Sequence, residues 1–252
     1  PTDAQAFVDQ LVFDPPAEVK KVYSWGRTVS IVGNFRPRCT YEITFPEGLV
    51  FSDDVTPLAA EAVRTFTTPD RPAQVRFLSR GPFLPLEPQA SLPLYVGNTG
   101  GVELSAMRVY PNNIVQFLRS DRVRDVGRTV AKYSLVPELD ENQEARVTVP
   151  LSDLLGGQKP GIYMIDAFPT AQRYRLKTRR VVLTKIGLSV AQQDQTLHAV
   201  AFSLDAHEPL SNCTLSVYSE RNQLLGSGNT GSDGVGIVRL QPLDDEKPYV
   251  LI

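Results

Sequence analysis

The chain has 252 residues, with 26 Lys and Arg against 28 Asp and Glu and a formal net charge of −2. At 42% hydrophobic and 21% charged residues, it has the composition of one large globular domain or of two to three small ones. The near-neutral balance gives no electrostatic footprint for nucleic acid or for an anionic membrane surface, and no apolar run approaches the roughly 18 residues that span a bilayer.

The 20 prolines and 17 glycines fall mostly between apolar runs, the pattern of an all-β chain with many turns. Residues Ala6 to Thr68 read as a small β-sandwich. Phe7–Phe13 is its first apolar run, and Val19–Trp25 and Thr28–Val32 alternate about Gly26-Arg27 as a hairpin. Thr40–Phe45 and Val63–Thr67 follow. Pro69-Asp70-Arg71-Pro72 then stops strand continuation and stiffens the connection, so a domain boundary is expected there.

The second segment opens at Val75-Arg76-Phe77 and carries strands over Leu92–Val96 and Val102–Tyr110. Pro111–Leu118 is a candidate short helix with Asn112 or Asn113 as its cap. The charged stretch Asp121–Lys132 is expected to be a mobile loop. Arg146–Pro150 reads as a strand, Leu151–Leu155 as a turn of helix, and Ile162–Ala167 as a further strand. Arg173, Arg175, Lys177, Arg179 and Arg180 form a basic cluster at alternate spacing, expected on a strand with one solvated face.

The third segment begins here, with runs over Val181–Val190, Leu197–Leu204 and Cys213–Tyr218. Leu224-Leu225-Gly226, the turn Ser232-Asp233-Gly234 and Val235–Leu240 complete it. The expected domains are therefore 1–69, 70–177 and 178–252, the last truncated at its end. The opening Pro1-Thr2-Asp3-Ala4 lacks a basic and apolar leader, and Tyr249–Ile252 ends in mid-strand pattern, so the chain reads as a piece of something longer.

Candidate sites resolve into turns. Gly226-Ser227-Gly228-Asn229-Thr230-Gly231 satisfies the G-x-G-x-x-G string of dinucleotide sites, but Ser232–Gly236 cannot open the helix such a site needs, so its glycines are assigned to turns. Asn229, Asp233 and Gly234 partly mimic a calcium loop, yet Gly231 stands where an oxygen ligand belongs and Leu240 where the bidentate Glu belongs. His198 and His207, the latter beside Glu208, have no metal-ligand spacing. The carboxylates Asp53-Asp54, Asp140-Glu141 and Asp244-Asp245-Glu246 read as solvated loop charges. Cys39 and Cys213 lie far apart and read as small buried hydrophobes rather than a disulfide. No catalytic, cofactor-binding or metal-ligating residue is assigned.

The order Gly187-Leu188-Ser189-Val190, Pro209–Tyr218, Leu224-Leu225-Gly226 and Thr230–Val235 resembles one macroglobulin-type domain of the bacterial alpha-2-macroglobulins. Phe77–Pro85, Leu92–Asn98 and Arg108–Leu118 resemble the first macroglobulin domain of that family, and Pro160-Gly161-Ile162-Tyr163 its Pro-Gly-x-Tyr strand. Thr40–Phe45, with Gly48-Leu49, Pro57-Leu58 and Thr65-Phe66-Thr67-Thr68, is similar to the Ig-like domain near the start of those proteins. The resemblance implies an all-β array of tandem Ig-like and macroglobulin-like antiparallel β-sandwiches. It also implies a non-enzymatic role in a periplasmic, inner-membrane-associated broad-range protease inhibitor. There a protease cuts a bait segment, the body rearranges and the protease is caged. The implied partners are the remaining macroglobulin domains of the same chain and, through the whole protein, target proteases; nucleic acid is not among them, and membrane anchoring would lie outside these residues. Neither Cys39-Thr40-Tyr41-Glu42 nor Cys213-Thr214-Leu215-Ser216 matches the family's Cys-x-Glu-Gln thioester motif, and no bait segment is present. A modular surface or adhesin-type spacer protein is the competing expectation.

Overall fold

The computed structural model describes residues 4–26, 28–50, 56–79, 81–87, 89–119, 125–157, 159–241, 243 and 245–252. They form two compact units, residues 1–72 and residues 73–252. The architecture is all-β, as tandem antiparallel sandwiches.

The first unit contains helix α1 (Ala4–Val8) and strands β1 (Val12–Asp14), β2 (Val19–Trp25), β3 (Thr28–Gly33), β4 (Thr40–Phe45) and β5 (Ala62–Thr67). The apolar run Phe7–Phe13 thus divides between the end of a helix and the start of a strand. It does so because Phe7, Val8, Leu11 and Phe13 all reach one core. Strands β1, β4 and β5 form one sheet, and β2 and β3 a separate hairpin. Tyr41 of β4 is fully buried. Its ring stacks on Phe66 at 5.4 Å and meets Phe35 edge-on at 5.3 Å, and its hydroxyl accepts the Arg36 N–H at 2.8 Å. That bond satisfies the one polar atom of an otherwise apolar side chain.

The second unit begins with strands β6 (Gln74–Phe77), β7 (Phe83–Pro85), β8 (Ser91–Gly97) and β9 (Val102–Val109). A 3-10 turn at Pro111–Asn113 leads into helix α2 (Ile114–Arg119). Then come β10 (Gly127–Leu135), β11 (Glu144–Pro150), helix α3 (Leu151–Leu155), β12 (Gly161–Pro169) and β13 (Lys177–Thr184). One sheet runs β10-β9-β12-β13-β7 and faces a second, β11-β8-β6, across a core of Leu92, Leu94, Leu104, Ile165, Val181 and Leu183. Strand β12 is buried on both faces from Tyr163 to Ala167. This explains why Tyr163, Met164 and Ile165 follow one another without a polar residue, since a strand covered on both sides need not alternate, while the buried Asp166 accepts the Thr178 hydroxyl at 2.6 Å.

The last sandwich pairs β14 (Ile186–Gln193), β15 (Thr196–Ser203) and β18 (Val235–Arg239) in one sheet. The other sheet is β17 (Leu224–Asn229), β16 (Thr214–Ser219) and β19 (Pro248–Leu251). Leu197, Ala199, Leu215, Val217, Leu225 and Val238 fill the space between.

Several expectations change. Val181–Val190 is two strands in two sandwiches, not one. Strand β13 pairs with β12, and β14 pairs with β15, so the chain crosses between sandwiches at Lys185 rather than at 177/178. Arg173–Arg175 is a short 3-10 turn rather than strand. Of the expected loop Asp121–Lys132, residues 121–124 lie outside the described residues. Residues 127–132 belong to β10, an edge strand whose exposed face accepts charge. The break between the compact units falls after Pro72, and Asp70 is tied back to the first unit by an ion pair with Arg38 at 2.5 Å.

The first unit and the last sandwich share a local device that the sequence reading missed. The Thr68 hydroxyl accepts the Cys39 N–H at 3.0 Å and donates to the Arg36 carbonyl. The Thr230 hydroxyl accepts the Cys213 N–H at 2.9 Å and donates to the Leu210 carbonyl at 2.6 Å. In each case a residue at positive φ, Arg38 or Asn212, precedes the cysteine. Each threonine closes the far end of the hairpin that the cysteine opens, locking its register. Both cysteines are free and half-buried.

Candidate functional site: the junction between the second and third sandwiches

Strand β19 has two working faces. Leu251 points into the core of its own sandwich, against Val217 of β16. Val250 and Ile252, on the opposite face, pack against Met107, Val109, Ile114, Phe117, Val126 and Met164 of the preceding sandwich. A period of two puts alternate residues on opposite faces, so one strand serves two cores. Helix α2 supplies Ile114 and Phe117 to this cluster, and the Arg180 guanidinium lies 5.0 Å from the centre of the Phe117 ring.

The helix starts differently from the expectation. Tyr110 occupies the cap position without a side-chain bond, while the Asn113 amide donates to the Val126 carbonyl at 2.9 Å. Asn113 thus fixes the helix to the start of β10 instead of capping it.

A polar rim borders the apolar cluster. Arg119 ends α2 and meets Glu220 in the turn between β16 and β17. In the same turn Arg221 donates to the Glu246 carboxylate at 2.7 Å. Ser219 is fully buried, and its hydroxyl oxygen accepts the N–H groups of Arg221 and Gln223, both at 3.2 Å. The Ser219 hydroxyl, then Arg221, hold the Glu246 carboxyl below the usual glutamate range. A cleft of about 410 Å³ lies between α2 and this turn, lined by Asn112, Val115, Gln116, Arg119, Glu220, Arg221 and Asn222. Its chemistry is that of a clasp between two bodies: opposite charges and amides around an apolar contact.

Sandwich two is anchored internally by a residue expected on a solvated face. Arg179 sits on β13 in phase with Val181 and Leu183 and is 9% exposed. Its guanidinium donates to the Ser79 carbonyl at 2.7 Å, to the Ser79 hydroxyl and to the Gly81 carbonyl at 2.6 Å. Burial pushes its pKa down. A cation at an alternate position reads as solvent-facing by residue type alone, whereas here backbone carbonyls replace water. Elsewhere in the basic cluster, Arg173 Nη2 donates to both carboxylate oxygens of Glu103, at 2.9 and 2.7 Å.

The remaining sequence candidates serve the fold. Gly226 and Gly228 lie inside β17 rather than in turns. A Cβ at Gly226 would sit 2.5 Å from the Arg239 carbonyl oxygen, and one at Gly228 would sit 2.8 Å from that of Ile237. These glycines let β17 press against β18. Asp233 accepts the Val235 N–H at 3.0 Å, and Gly234 has φ of 74°, a tight hairpin turn. Asn229 donates to the Asn212 side chain at 3.2 Å, and the Leu240 N–H donates to the Gln195 carbonyl. His198 pairs with Ala191 and Ile237 on the outer face of β15. His207 takes positive φ in a turn closed by the Ser203 N–H on the Glu208 carbonyl. Asp140 accepts the Gln143 N–H through its carbonyl, within the turn that also holds Glu141. Asp53, Asp54 and Asp244 lie outside the described residues. Asp245 lines a small cleft with Arg221 and Glu246. Among the described residues no three His, Cys, Asp or Glu side chains come together.

No protein-family model matches the sequence. No curated protein matches it either. Solved structures do. The structure of native Escherichia coli alpha-2-macroglobulin spanning domains MG0-NIE-MG1 matches with a TM-score of 0.60 at 19% identity, over 100% of this chain and 87% of that one. The E. coli structure spanning NIE-MG1 alone gives a TM-score of 0.56 at 21% identity, over 71% of this chain and 96% of that one. A Salmonella alpha-2-macroglobulin mutant gives 0.64 at 18% identity over 97% of this chain, which spans 16% of that protein's length. Over its whole length, this chain has the fold of the MG0-NIE-MG1 region of bacterial alpha-2-macroglobulin.

Proposed function

We propose that this chain is a non-catalytic scaffold portion of a bacterial alpha-2-macroglobulin-type inhibitor that traps proteases of broad range after bait cleavage. Residues 1–72 take the place of MG0. The placement is supported by the structure that lacks MG0, which matches 71% of the chain, close to the share that residues 73–252 make up. The two sandwiches that meet at Lys185 then take the places of NIE and MG1. The observation that carries the reading is the full-length likeness to three consecutive domains, since single sandwiches of this kind host many functions.

In this role the junction built from α2 and β19 makes two sandwiches one strut. A trap that rearranges on cleavage needs members that move as bodies, because a joint that flexes everywhere transmits nothing. An apolar contact with a paired polar rim supplies that stiffness, against the default mobility of small interfaces. The working partners are the other macroglobulin domains of the same chain and, through them, target proteases. The compartment we assign is the periplasm, with the whole protein held at the inner membrane.

The test uses the full-length protein. It is incubated with an active protease, then assayed on a small chromogenic peptide and a large protein substrate side by side. Retained activity on the peptide with loss on the protein is the expected signature of caging. Equal activity on both removes the trap and favours a modular spacer.

A further inference from the structure

The β2–β3 hairpin of the first unit has an inner face that belongs to the core, with Val19, Val22, Val29 and Ile31 packed on the Phe7–Leu49 cluster. Its outer face combines exposed aromatic, aliphatic and basic side chains. Lys21, Tyr23 and Trp25 lie along β2 at alternate positions, opposite Val32, Ser30 and Thr28 of β3. Trp25, the only tryptophan in the chain, is 60% exposed, Tyr23 49% and Val32 48%. Among the described residues β2 and β3 pair only with each other. From Val19 to Gly33 the sequence holds three basic residues and no acidic one, in a chain whose net charge is −2. The nearest carboxylate in sequence, Glu18, is at the end of the hairpin away from its turn and accepts the Asn34 amide at 2.5 Å.

From these residues we infer that the hairpin docks on an anionic phospholipid bilayer, lying at the interface with Tyr23 and Trp25 at headgroup depth and Lys20 and Lys21 against the lipid phosphates. Trp and Tyr favour the membrane–water interface, where the ring is in a half-apolar medium and its N–H or O–H stays wet. Lys beside them adds attraction to negative headgroups that acts over a Debye length. Tyr and Trp also suit a protein partner, but protein interfaces are depleted in Lys, and here Lys20 and Lys21 adjoin the rings, which favours the lipid surface. A glycan fits less well too, because no Asp, Glu, Asn or Gln stands beside the rings from Val19 to Gly33 to bind sugar hydroxyls. The chain-wide balance conceals the feature, since attraction to a surface depends on the charges facing it and not on the sum over the molecule. The inference stands on the hairpin alone and does not rest on protease trapping.

Because Trp25 is the sole tryptophan, its emission reports on this hairpin directly. The 252-residue chain is titrated with vesicles of phosphatidylcholine alone and of phosphatidylcholine with phosphatidylglycerol. The expected result is a blue shift and protection from iodide quenching with the anionic vesicles only, both reversed by about 0.5 M salt. The K20E/K21E variant, altered only at exposed positions, is expected to bind at least about tenfold more weakly with an unchanged melting temperature. Three outcomes overturn the inference: no shift with anionic vesicles, an equal shift with neutral vesicles, or emission already blue-shifted without lipid. The last would mean that protein already covers the face. The salt titration needs no variant, so a misfolded mutant leaves the answer intact.

Discussion

Arg119 reaches from the end of α2 across the junction to Glu220. Its Nη1 donates to the Glu220 carbonyl at 2.9 Å, and its Nε lies 3.3 Å from the carboxylate. Both side chains remain about half exposed, so solvent screens the pair. Beside it, Phe117 is 1% exposed within the apolar cluster. The magnitudes decide which of them holds the joint. Arg119→Ala is expected to cost less than about 1 kcal/mol, and Phe117→Ala about 3–5 kcal/mol. Urea unfolding of the two variants checks the order; a loss for Arg119→Ala as large as that for Phe117→Ala would mean that the ion pair holds the joint as firmly as the cluster does.

Placing charge on the junction face of β19 is expected to separate the two sandwiches without unfolding them. Val250→Asp with Ile252→Asp leaves Leu251 in its own core but puts two carboxylates against Met107, Ile114 and Phe117. Scanning calorimetry of residues 73–252 is expected to show one transition in the parent chain and two in the variant. A single transition in both would mean that coupling does not pass through β19.

Arg179 predicts a different failure. Arg179→Met removes the donors that hold the Ser79 and Gly81 carbonyls, so the connection between β6 and β7 loses its anchor while Val181 and Leu183 stay packed. The expected loss is about 2–4 kcal/mol, with earlier proteolytic cutting near residues 79–81. Arg179→Lys, with a single ammonium in place of a fork, is expected to recover only part of it. Full recovery by Lys would show that charge alone suffices.

The Glu246 carboxyl is held below its ordinary range by the Ser219 hydroxyl and then by Arg221. A folded-state pKa below the unfolded value of about 4.3 gives stability that is fully present above that value. The stability is lost as pH falls through the folded pKa. Between pH 6 and pH 3 the parent chain is therefore expected to lose more stability than Glu246→Gln. Parallel melting-temperature profiles for the two proteins would remove Glu246 from the acid response.

Thr68→Val and Thr230→Val test the shared hairpin lock. Each change keeps the shape but strands the N–H of Cys39 or Cys213 and one carbonyl, at a cost of about 1–3 kcal/mol. The sites share no partners, so the double variant is expected to show the sum within about 0.5 kcal/mol. Denaturant midpoints of the four proteins give the answer.

Strands were legible in the sequence where one face is wet and the other dry. Val102–Val109 and Leu197–Ser203 alternate because each lies against a core, and Asp233-Gly234 announces its turn through an Asx bond and a positive φ. The crossing at Lys185 was not legible, since Thr184-Lys185-Ile186 contains no Gly or Pro and the apolar phase continues across it. Strand β10 was hidden because an edge strand tolerates Arg128 and Lys132 on its open side. The junction was the least visible part. Val250 and Ile252 read as one more strand, and only the position of α2 shows that their face meets another body. Arg179 and the paired glycines of β17 were misassigned for a common reason: their partners are backbone atoms distant in sequence, which leave no residue-type signal.

Because Leu251 and its neighbours Val250 and Ile252 answer to different cores, β19 has no neutral register. A slip of one residue against β16 would send Leu251 outward and its neighbours inward, emptying both cores at once. The joint therefore has no gradual way to loosen. It is either seated or released, and a force applied to one sandwich reaches the next undiminished until the strand lets go.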